Sequence, residues 1–236
     1  MTNILLESYY IDAEWLRDAL AKYLKPQSRV LVVAFSFRDK EVKGVDDWQS
    51  RYGRENGKYY HAVVDPFQAY GIPEENITFL NYFTDSPTSA AEKVKRADII
   101  YFLGGLPDRM MDRIVEFGLY DELLRHEGVV MGVSAGALIQ LSEYHLSPDK
   151  DYPEFGYYRG IPYCGDFYLE VHYEGNPVQD DAIRRVVRER AKPVYATHDG
   201  QGAIICDNGS IYTVGIVDVL ERRDDIESMS AETVRG

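Results

Sequence analysis

Residues 127–140 read EGVVMGVSAGALIQ, an apolar strand followed by small residues and then by an apolar helix. Residues 132–136 in this stretch, Gly-Val-Ser-Ala-Gly, fit the pattern G-x-S-x-G. In this pattern a strand turns so sharply into a helix that the serine stands at the tip of the turn, and a Cβ in place of either glycine would collide with a neighbouring element. The alternative is a serine that only caps the helix. Because a cap does not require both glycines, we predict that Ser134 is a nucleophile.

The chain before this turn alternates between apolar runs and amphipathic segments. Continuous apolar runs, typical of strands buried on both faces of a sheet, lie at 29–37 (RVLVVAFSF), 76–83 (NITFLNYF), 98–105 (DIIYFLGG) and 128–134 (GVVMGVS). Helical spacing is found at 12–24, near 61–70, at 89–97, over 107–127 as one or two helices, and at 135–143. This order predicts a three-layer α/β/α sandwich with a mostly parallel central sheet.

The amino-acid composition and the spacing of apolar residues change after residue 143. Residues 144–173 are rich in tyrosine and phenylalanine, interleaved with proline and glycine, and predict an aromatic loop and β-rich insertion that either covers a cleft or packs a long loop. A helix over 179–190, a strand with a turn over 192–200 and a hairpin over 202–215 follow. Asn208-Gly209 supplies the positive φ values of the hairpin turn. No linker divides the chain, so we expect one domain over 1–236.

Composition excludes several classes of partner and site. Lys and Arg total 26 against 39 Asp and Glu, which gives a formal charge of −13. Nucleic acid and anionic membranes are excluded as partners, because both require a basic surface. The sequence contains 2 cysteines without the spacing of a metal site, and we expect neither metal nor cofactor. We expect a cytoplasmic protein, since no leader or membrane span is visible. The sequence does not define an oligomeric state.

A serine nucleophile requires a base, and two of the five histidines end predicted strands. His172 and His198 both do so, whereas His61 and His126 fall in or at the end of helices, and His145 lies at the far end of the helix after Ser134. One predicted triad is therefore Ser134, His172 and Asp199. The other is Ser134 and His198 with an acid, Asp166 or Glu170. Spacing does not choose between them, because triads are defined by geometry.

Four segments together resemble the S51 peptidases, the group of peptidase E (aspartyl dipeptidase) and cyanophycinase. These segments are IIYFLGG, GVVMGVSAGA, EVHYEG and ATHDGQGAII. The resemblance implies a class I glutamine amidotransferase-like, flavodoxin-like fold. It also implies a triad of Ser134, His172 and Asp199.

The glycine pair Gly104-Gly105 corresponds to the pair that supplies an oxyanion amide in that family. With Gly105, the amide of Ala135 at the start of the helix would complete an oxyanion hole. Family members commonly continue the glycine pair as G-G-G-N-T, whereas this chain reads GGLPD over 104–108. Pro107 has no N–H to donate, and the asparagine side chain of the family motif is absent. We expect this difference to change substrate recognition more than it changes the nucleophile.

These residues predict a serine hydrolase, an S51-type peptidase that cleaves small peptides through an acyl-enzyme. An esterase or other acyl hydrolase, and a binding protein without catalysis, are the alternatives. For the substrate, Arg38 or Arg109 would pair with a carboxylate, unless they are solvated surface residues. Gly104 and His198 would shape the pocket.

Overall fold

A computed structural model describes residues 1–221 of the protein. The strands are β1 (Thr2–Leu6), β2 (Val30–Val33), β3 (Ile77–Leu80), β4 (Ile99–Phe102), β5 (Val129–Val133), β6 (Glu143–Leu146), β7 (Gly156–Arg159), β8 (Tyr168–Tyr173), β9 (Val194–Asp207) and β10 (Ser210–Leu220). The α-helices are α1 (Glu14–Ala21), α2 (Val45–Tyr52), α3 (Tyr60–Gln68), α4 (Pro87–Arg96), α5 (Pro107–Glu116), α6 (Tyr120–Leu124), α7 (Ala135–Leu138) and α8 (Pro177–Arg190).

The central sheet is mostly parallel, as the sequence predicts. Its strand order is β10-β9-β1-β5-β4-β2-β3, and β8 pairs with β9. The five strands β1, β5, β4, β2 and β3 are parallel to one another, whereas β9 runs antiparallel to both β1 and β10. The carboxyl ends of the five parallel strands therefore lie at one edge, where ligands bind in open α/β sheets.

Helices cover both faces of this sheet, and alternate strand residues form two separate cores. On one face Ile4, Val32 and Tyr101 pack with residues of α1 and α3. On the other face Leu5 and Phe102 pack with residues of α4, α5 and α6. Every residue of β2 and of β4 is buried. Continuous apolar runs in the sequence thus correspond to strands with no solvent-facing side.

The strand β1 was missed in the sequence. Its apolar run, Ile4–Leu6, is too short to predict a strand by itself. In the structure Thr2–Leu6 pairs with β5 on one side and with β9 on the other. The first predicted strand, at 29–37, is therefore the second strand of the chain. This places Glu7, the residue after β1, at the carboxyl edge of the sheet.

The helix predicted over 135–143 is wrong in its length, because α7 ends at Leu138. Backbone contacts with the aromatic insertion replace further helical turns: Ile139 accepts a hydrogen bond from Ile161 N at 2.7 Å, and Gln140 accepts one from Cys164 N at 3.0 Å. Since the helix is short, it does not carry His145 away from Ser134. The chain turns into β6 instead, and His145 lies in that strand.

The aromatic insertion contains a two-stranded sheet of β6 and β7, followed by β8. The predicted strand over 192–200 and the first hairpin strand are one continuous strand, β9. The hairpin turn is as predicted, with positive φ at Asn208 and Gly209. A large bulge interrupts the pairing of β9 with β10, because residues 198–201 lie opposite Ile216 alone. Within residues 1–221, no helix is both long and apolar enough to cross a membrane.

Candidate active site

Ser134 occupies a strained turn between β5 and α7. Its backbone angles are φ 51° and ψ −110°, a region that non-glycine residues rarely adopt and that is concentrated at functional sites. The two glycines of the motif have no room for a side chain. A Cβ at Gly132 would lie 2.1 Å from Gly136 O, and one at Gly136 would lie 2.3 Å from Phe102 O. The Ser134 side chain makes no capping hydrogen bond, so capping does not account for this residue.

His172 stands opposite the serine, at an irregular point of β8. Its Nε2 lies 3.0 Å from Ser134 Oγ. Its Nδ1 lies 3.1 Å from Asp199 Oδ1, within hydrogen-bond distance of that carboxylate. The backbone of His172 also has a positive φ, 54°, next to a shift in the pairing of β8 with β9. This local distortion directs the imidazole toward the serine.

Asp199 reaches the imidazole from the bulge in β9. Its side chain is 74% exposed, whereas that of His172 is 49% exposed. The neighbouring Glu7 carboxyl and then the His172 imidazole lower the pKa of Asp199 below its ordinary value. Asp199 therefore remains an ionised acceptor at neutral pH, and the long bulge that carries it could not be predicted from strand periodicity.

Glu7 is a second carboxyl group at the same imidazole, and sequence reasoning missed it. Its side chain is 1% exposed, and Oε1 lies 2.9 Å from His172 Nδ1. Within residues 1–221, neither oxygen of Glu7 meets the angular geometry of a hydrogen bond, whereas Asp199 Oδ1 meets it with His172 Nδ1. Burial raises the pKa of Glu7 to about 7. The available signal was a charged residue directly after a short apolar run, NILLE.

Glu7 and Asp199 both favour the protonated form of the His172 imidazole. The Glu7 carboxyl first, and Asp199 second, raise the pKa of His172 above 6.5, although burial of the ring opposes them. Potential ligand atoms of Glu7, His172 and Asp199 lie within 4.8 Å of one another, a spacing that a metal ion could use. The contacts from Asp199 through His172 to Ser134 have the geometry that a proton transfer requires.

Two backbone amides at the serine are free to donate. Gly105 and Ala135 both line the cleft beside Ser134, and the N–H of neither has an acceptor within residues 1–221. Gly105 has φ 139°, and a Cβ there would lie 2.4 Å from Ser36 O. Gly104 has a different task, because its N–H donates to Tyr9 Oη at 3.0 Å and its carbonyl accepts from Ser36 Oγ at 2.5 Å. Gly104 thus fixes the loop, and Gly105 presents the amide.

The other candidate substrate-binding residues lie outside the cleft. Arg38 is paired with Asp151, with Nε at 3.1 Å from Oδ1. Arg109 lies 3.6 Å from Asp39 and 3.4 Å from Asp112.

The second predicted triad is not assembled, because each of its titratable side chains contacts a residue outside that triad. His198 Nε2 contacts Asp218 Oδ2 at 2.8 Å, on the side of β9 that faces β10. Asp166 pairs with Lys192 at 3.1 Å. Glu170 contacts His145 Nε2 at 2.7 Å.

The cleft at Ser134 has a volume of about 300 Å³. It lies between the elbow, the carboxyl end of β8 and the first part of the aromatic insertion. Apolar side chains form part of its wall, and they are Pro107, Leu138, Leu146, Pro148, Tyr152, Leu169 and Val171. The insertion therefore contributes directly to the cleft. Its sequence alone did not decide between covering a cleft and packing a long loop.

Comparison with known proteins assigns the fold and the family. The sequence model of peptidase family S51 matches residues 51–214, so the chain belongs to this family. Membership of a peptidase family supports the assignment of the protein as a hydrolase. The match includes Ser134, His172 and Asp199 but not Glu7. No curated protein is significantly similar in sequence to the chain.

Two solved structures share the fold over nearly the whole chain. A candidate peptidase E protein from Listeria monocytogenes EGD-e aligns with a TM-score of 0.62 at 18% identity, covering 91% of this chain and 98% of its own. A peptidase from an acI-B1 Actinobacterium aligns with a TM-score of 0.57 at 17% identity, covering 94% of each chain.

Proposed function

We propose that the protein is a serine peptidase of the S51 type that cleaves small peptides through an acyl-enzyme. The observation that carries the proposal is the distance of 3.0 Å between Ser134 Oγ and His172 Nε2, with the serine on a strained backbone. Nucleophile, base and acid in this order are the arrangement by which a serine hydroxyl is activated. Family membership supports the same class of reaction.

In the proposed reaction His172 Nε2 accepts the proton of Ser134 as Oγ attacks the scissile carbonyl. Asp199 accepts the hydrogen bond from Nδ1, which holds the imidazole in the required tautomer and stabilises its charged form. The free amides of Gly105 and Ala135 bind the oxyanion, and in comparable sites one such donor contributes about 3 kcal/mol. His172 then protonates the leaving amine, and a water molecule activated by the same base releases the acyl group.

The altered loop GGLPD does not remove this arrangement. Pro107 is the first residue of α5, where a missing N–H leaves no helical hydrogen bond unformed. The amide that the reaction needs is that of Gly105, two residues earlier. A catalytic role is therefore favoured over a binding protein without catalysis, the alternative that this loop raised.

A fluorophosphonate probe tests the nucleophile. We expect labelling of the wild-type protein and none of Ser134→Ala, while Ser50→Ala, an exposed serine on α2, keeps full labelling as the matched control. For the base, we expect His172→Ala to abolish labelling and His198→Ala to retain it. No labelling of folded wild-type protein would contradict the proposal, and loss of labelling in His198→Ala alone would overturn the assignment of the base.

Turnover of matched amide and ester substrates separates a peptidase from an esterase. Both activities use the same serine, so the probe does not distinguish them. We expect the amide with the same acyl group to be hydrolysed, and the activity to disappear in Ser134→Ala. Hydrolysis of the ester with no turnover of any amide would identify an esterase instead.

A further inference from the structure

The cleft carries an unusual charge for a site expected to meet acidic substrates. Besides His172, its lining includes the carboxyl groups of Asp149, Glu170 and Glu174. Among residues 1–221, no lysine or arginine side chain lines it. The two arginines considered for a substrate carboxylate, Arg38 and Arg109, are held in ion pairs elsewhere. A substrate carboxylate would therefore meet repulsion in this cleft and no cationic partner.

Glu170 is the member of this group that points to a ligand. Its side chain is 6% exposed, and it lies two residues before His172 in β8. Oε2 accepts hydrogen bonds from His145 Nε2 and from Ser147 Oγ, each at 2.7 Å. Oε1 has no hydrogen-bond partner within residues 1–221. Since Oε1 is not enclosed by the protein and Glu170 lines the cleft, a donor from a bound substrate would reach this oxygen and form a charge-assisted hydrogen bond with it.

His145 does not cancel the charge of Glu170. Its side chain is fully buried, and its Nδ1 is enclosed with no hydrogen-bond partner in the described part of the chain, residues 1–221. A proton on Nδ1 would be a buried donor without an acceptor, so the ring carries its proton on Nε2, where Glu170 accepts it. The imidazole is then neutral, and the pair retains the negative charge of the carboxylate.

The rest of the cleft fits a long cationic side chain. Leu138, Leu146 and Leu169 provide apolar surface for an alkyl stem, as lysine and arginine side chains require. Asp149 and Glu174 add negative charge to the same cleft. The formal charge of −13 further favours the approach of positively charged substrates.

We propose that the cleft selects substrates with a positively charged nitrogen group next to the scissile bond, and that Glu170 accepts its hydrogen bond. This inference rests on the proposed function, since it places the group beside the carbonyl that Ser134 attacks. The nitrogen group is either a lysine or arginine side chain or the α-ammonium of the substrate. In both cases Glu170 is a specificity residue, and it takes no part in proton transfer.

The test compares arginine with citrulline, which has the same shape without the charge. Fluorogenic amides of both are made with free and with acetylated amino termini. We expect kcat/KM to be about tenfold or more higher for the arginine amide, since a charge-assisted hydrogen bond is replaced by a neutral one. If acetylation abolishes turnover of both and the arginine preference is absent, the α-ammonium is the bound group. A preference that survives acetylation assigns the side chain.

Variants at the cleft sharpen the result. Glu170→Gln should raise KM for the cationic substrate about tenfold and leave that for the neutral substrate nearly unchanged. Glu174→Gln, which does not contact His145, should show the same selectivity with a smaller loss, so the proposal is tested even if Glu170→Gln fails to fold. Glu92→Gln, an exposed carboxyl on α4, is the matched control without effect. Equal kcat/KM for all four substrates, or preference for an aspartyl amide, would overturn the inference.

A binding measurement separates this inference from the proposed function. In Ser134→Ala no turnover is possible, and calorimetry with argininamide and citrullinamide measures the subsite directly. We expect argininamide to bind more tightly than citrullinamide by about tenfold. Equal affinity for the two amides and for their acetylated forms, while wild-type protein is labelled by the fluorophosphonate probe, would reject the cationic subsite and leave the serine hydrolase standing. Tighter argininamide binding without any labelling would do the reverse.

Discussion

The two sides of His172 are built in different ways. On the Nε2 side, Ser134 is fixed by a backbone with no free space, where added Cβ atoms would lie 2.1 Å and 2.3 Å from carbonyl oxygens. On the Nδ1 side two carboxyl groups compete, one 1% exposed and the other 74% exposed. The nucleophile side is defined by steric fit, whereas the acid side is defined by electrostatics.

The difference indicates where the site tolerates change. Steric overlap with main-chain atoms cannot be relieved by a small movement, because the backbone of a parallel sheet cannot move without breaking its hydrogen bonds to neighbouring strands. Electrostatic contacts at an imidazole are graded, since one carboxylate can partly replace another. Substitutions on the nucleophile side should therefore affect folding, and those on the acid side should affect rate and pH dependence.

The largest effect is expected for Gly136→Ala. The new Cβ would overlap the carbonyl oxygen of Phe102 in β4, so we expect a loss of about 3 kcal/mol or more in the free energy of unfolding. Urea denaturation measures this loss. Gly165→Ala is the matched control, since apart from its chain neighbours no atom of residues 1–221 lies within 4 Å of its Cβ position, and it should change stability by less than about 1 kcal/mol. Equal stability of the two variants would show that the elbow is not sterically constrained.

An intermediate effect, on rate with little effect on stability, is expected for Asp199→Asn. The amide no longer holds the His172 proton on Nδ1 as a carboxylate does, and comparable changes in Ser-His-Asp triads lower kcat by up to about 10⁴-fold. Because Glu7 Oε1 remains 2.9 Å from Nδ1, we expect a smaller loss here, about 10²-fold.

Steady-state kinetics with one amide substrate compare Asp199→Asn with Glu7→Gln. The Glu7 variant should lose about tenfold or less, since the Nδ1 proton is directed to Asp199. A larger loss in Glu7→Gln than in Asp199→Asn would reverse the assignment and make the buried carboxyl the acid of the triad.

The contrast between the two sides also explains what the sequence could predict. The elbow is encoded within five consecutive residues, 132–136, whose glycine spacing follows from local geometry, and the parallel sheet follows from continuous apolar runs. Those features were predictable because their physical cause is local. Glu7 acts on His172 across 165 positions of sequence, and only the pairing of β1 between β5 and β9 brings the two together.

The acidic cleft was unpredictable for a related reason. From the sequence, Glu170 was only one candidate acid for His198. His145 was expected at the far end of a helix that in the structure ends at Leu138. Their contact depends on the fold of the aromatic insertion, whose irregular turns follow no periodic pattern. Arg38 and Arg109 were plausible by position in strand-end loops, but the location of their carboxylate partners was not visible from the sequence.

The smallest expected effect is a shift in pH dependence for Glu7→Gln. The base must be unprotonated to act, and the carboxyl groups of Glu7 and Asp199 raise the pKa of His172 above 6.5. The acid limb of kcat/KM in the wild-type protein should therefore have its midpoint above this value. Removing the Glu7 carboxyl removes the largest cause of the rise, so the midpoint should move to lower pH. Profiles of log kcat/KM against pH for the two proteins measure the shift.

The direction of that shift separates two roles for the buried carboxyl. If Glu7 acts on His172 through its charge, the neutral amide favours the unprotonated imidazole, and the variant keeps more of its activity under acidic conditions than the wild type does. If Glu7 only fills space, the profile stays in place while activity falls evenly at all pH values. Glu41→Gln, which removes a carboxyl paired with Arg51 outside the cleft, should leave the profile unchanged. A shift to higher pH in Glu7→Gln would mean that the Glu7 carboxyl does not raise the pKa of His172, contrary to its contact with Nδ1.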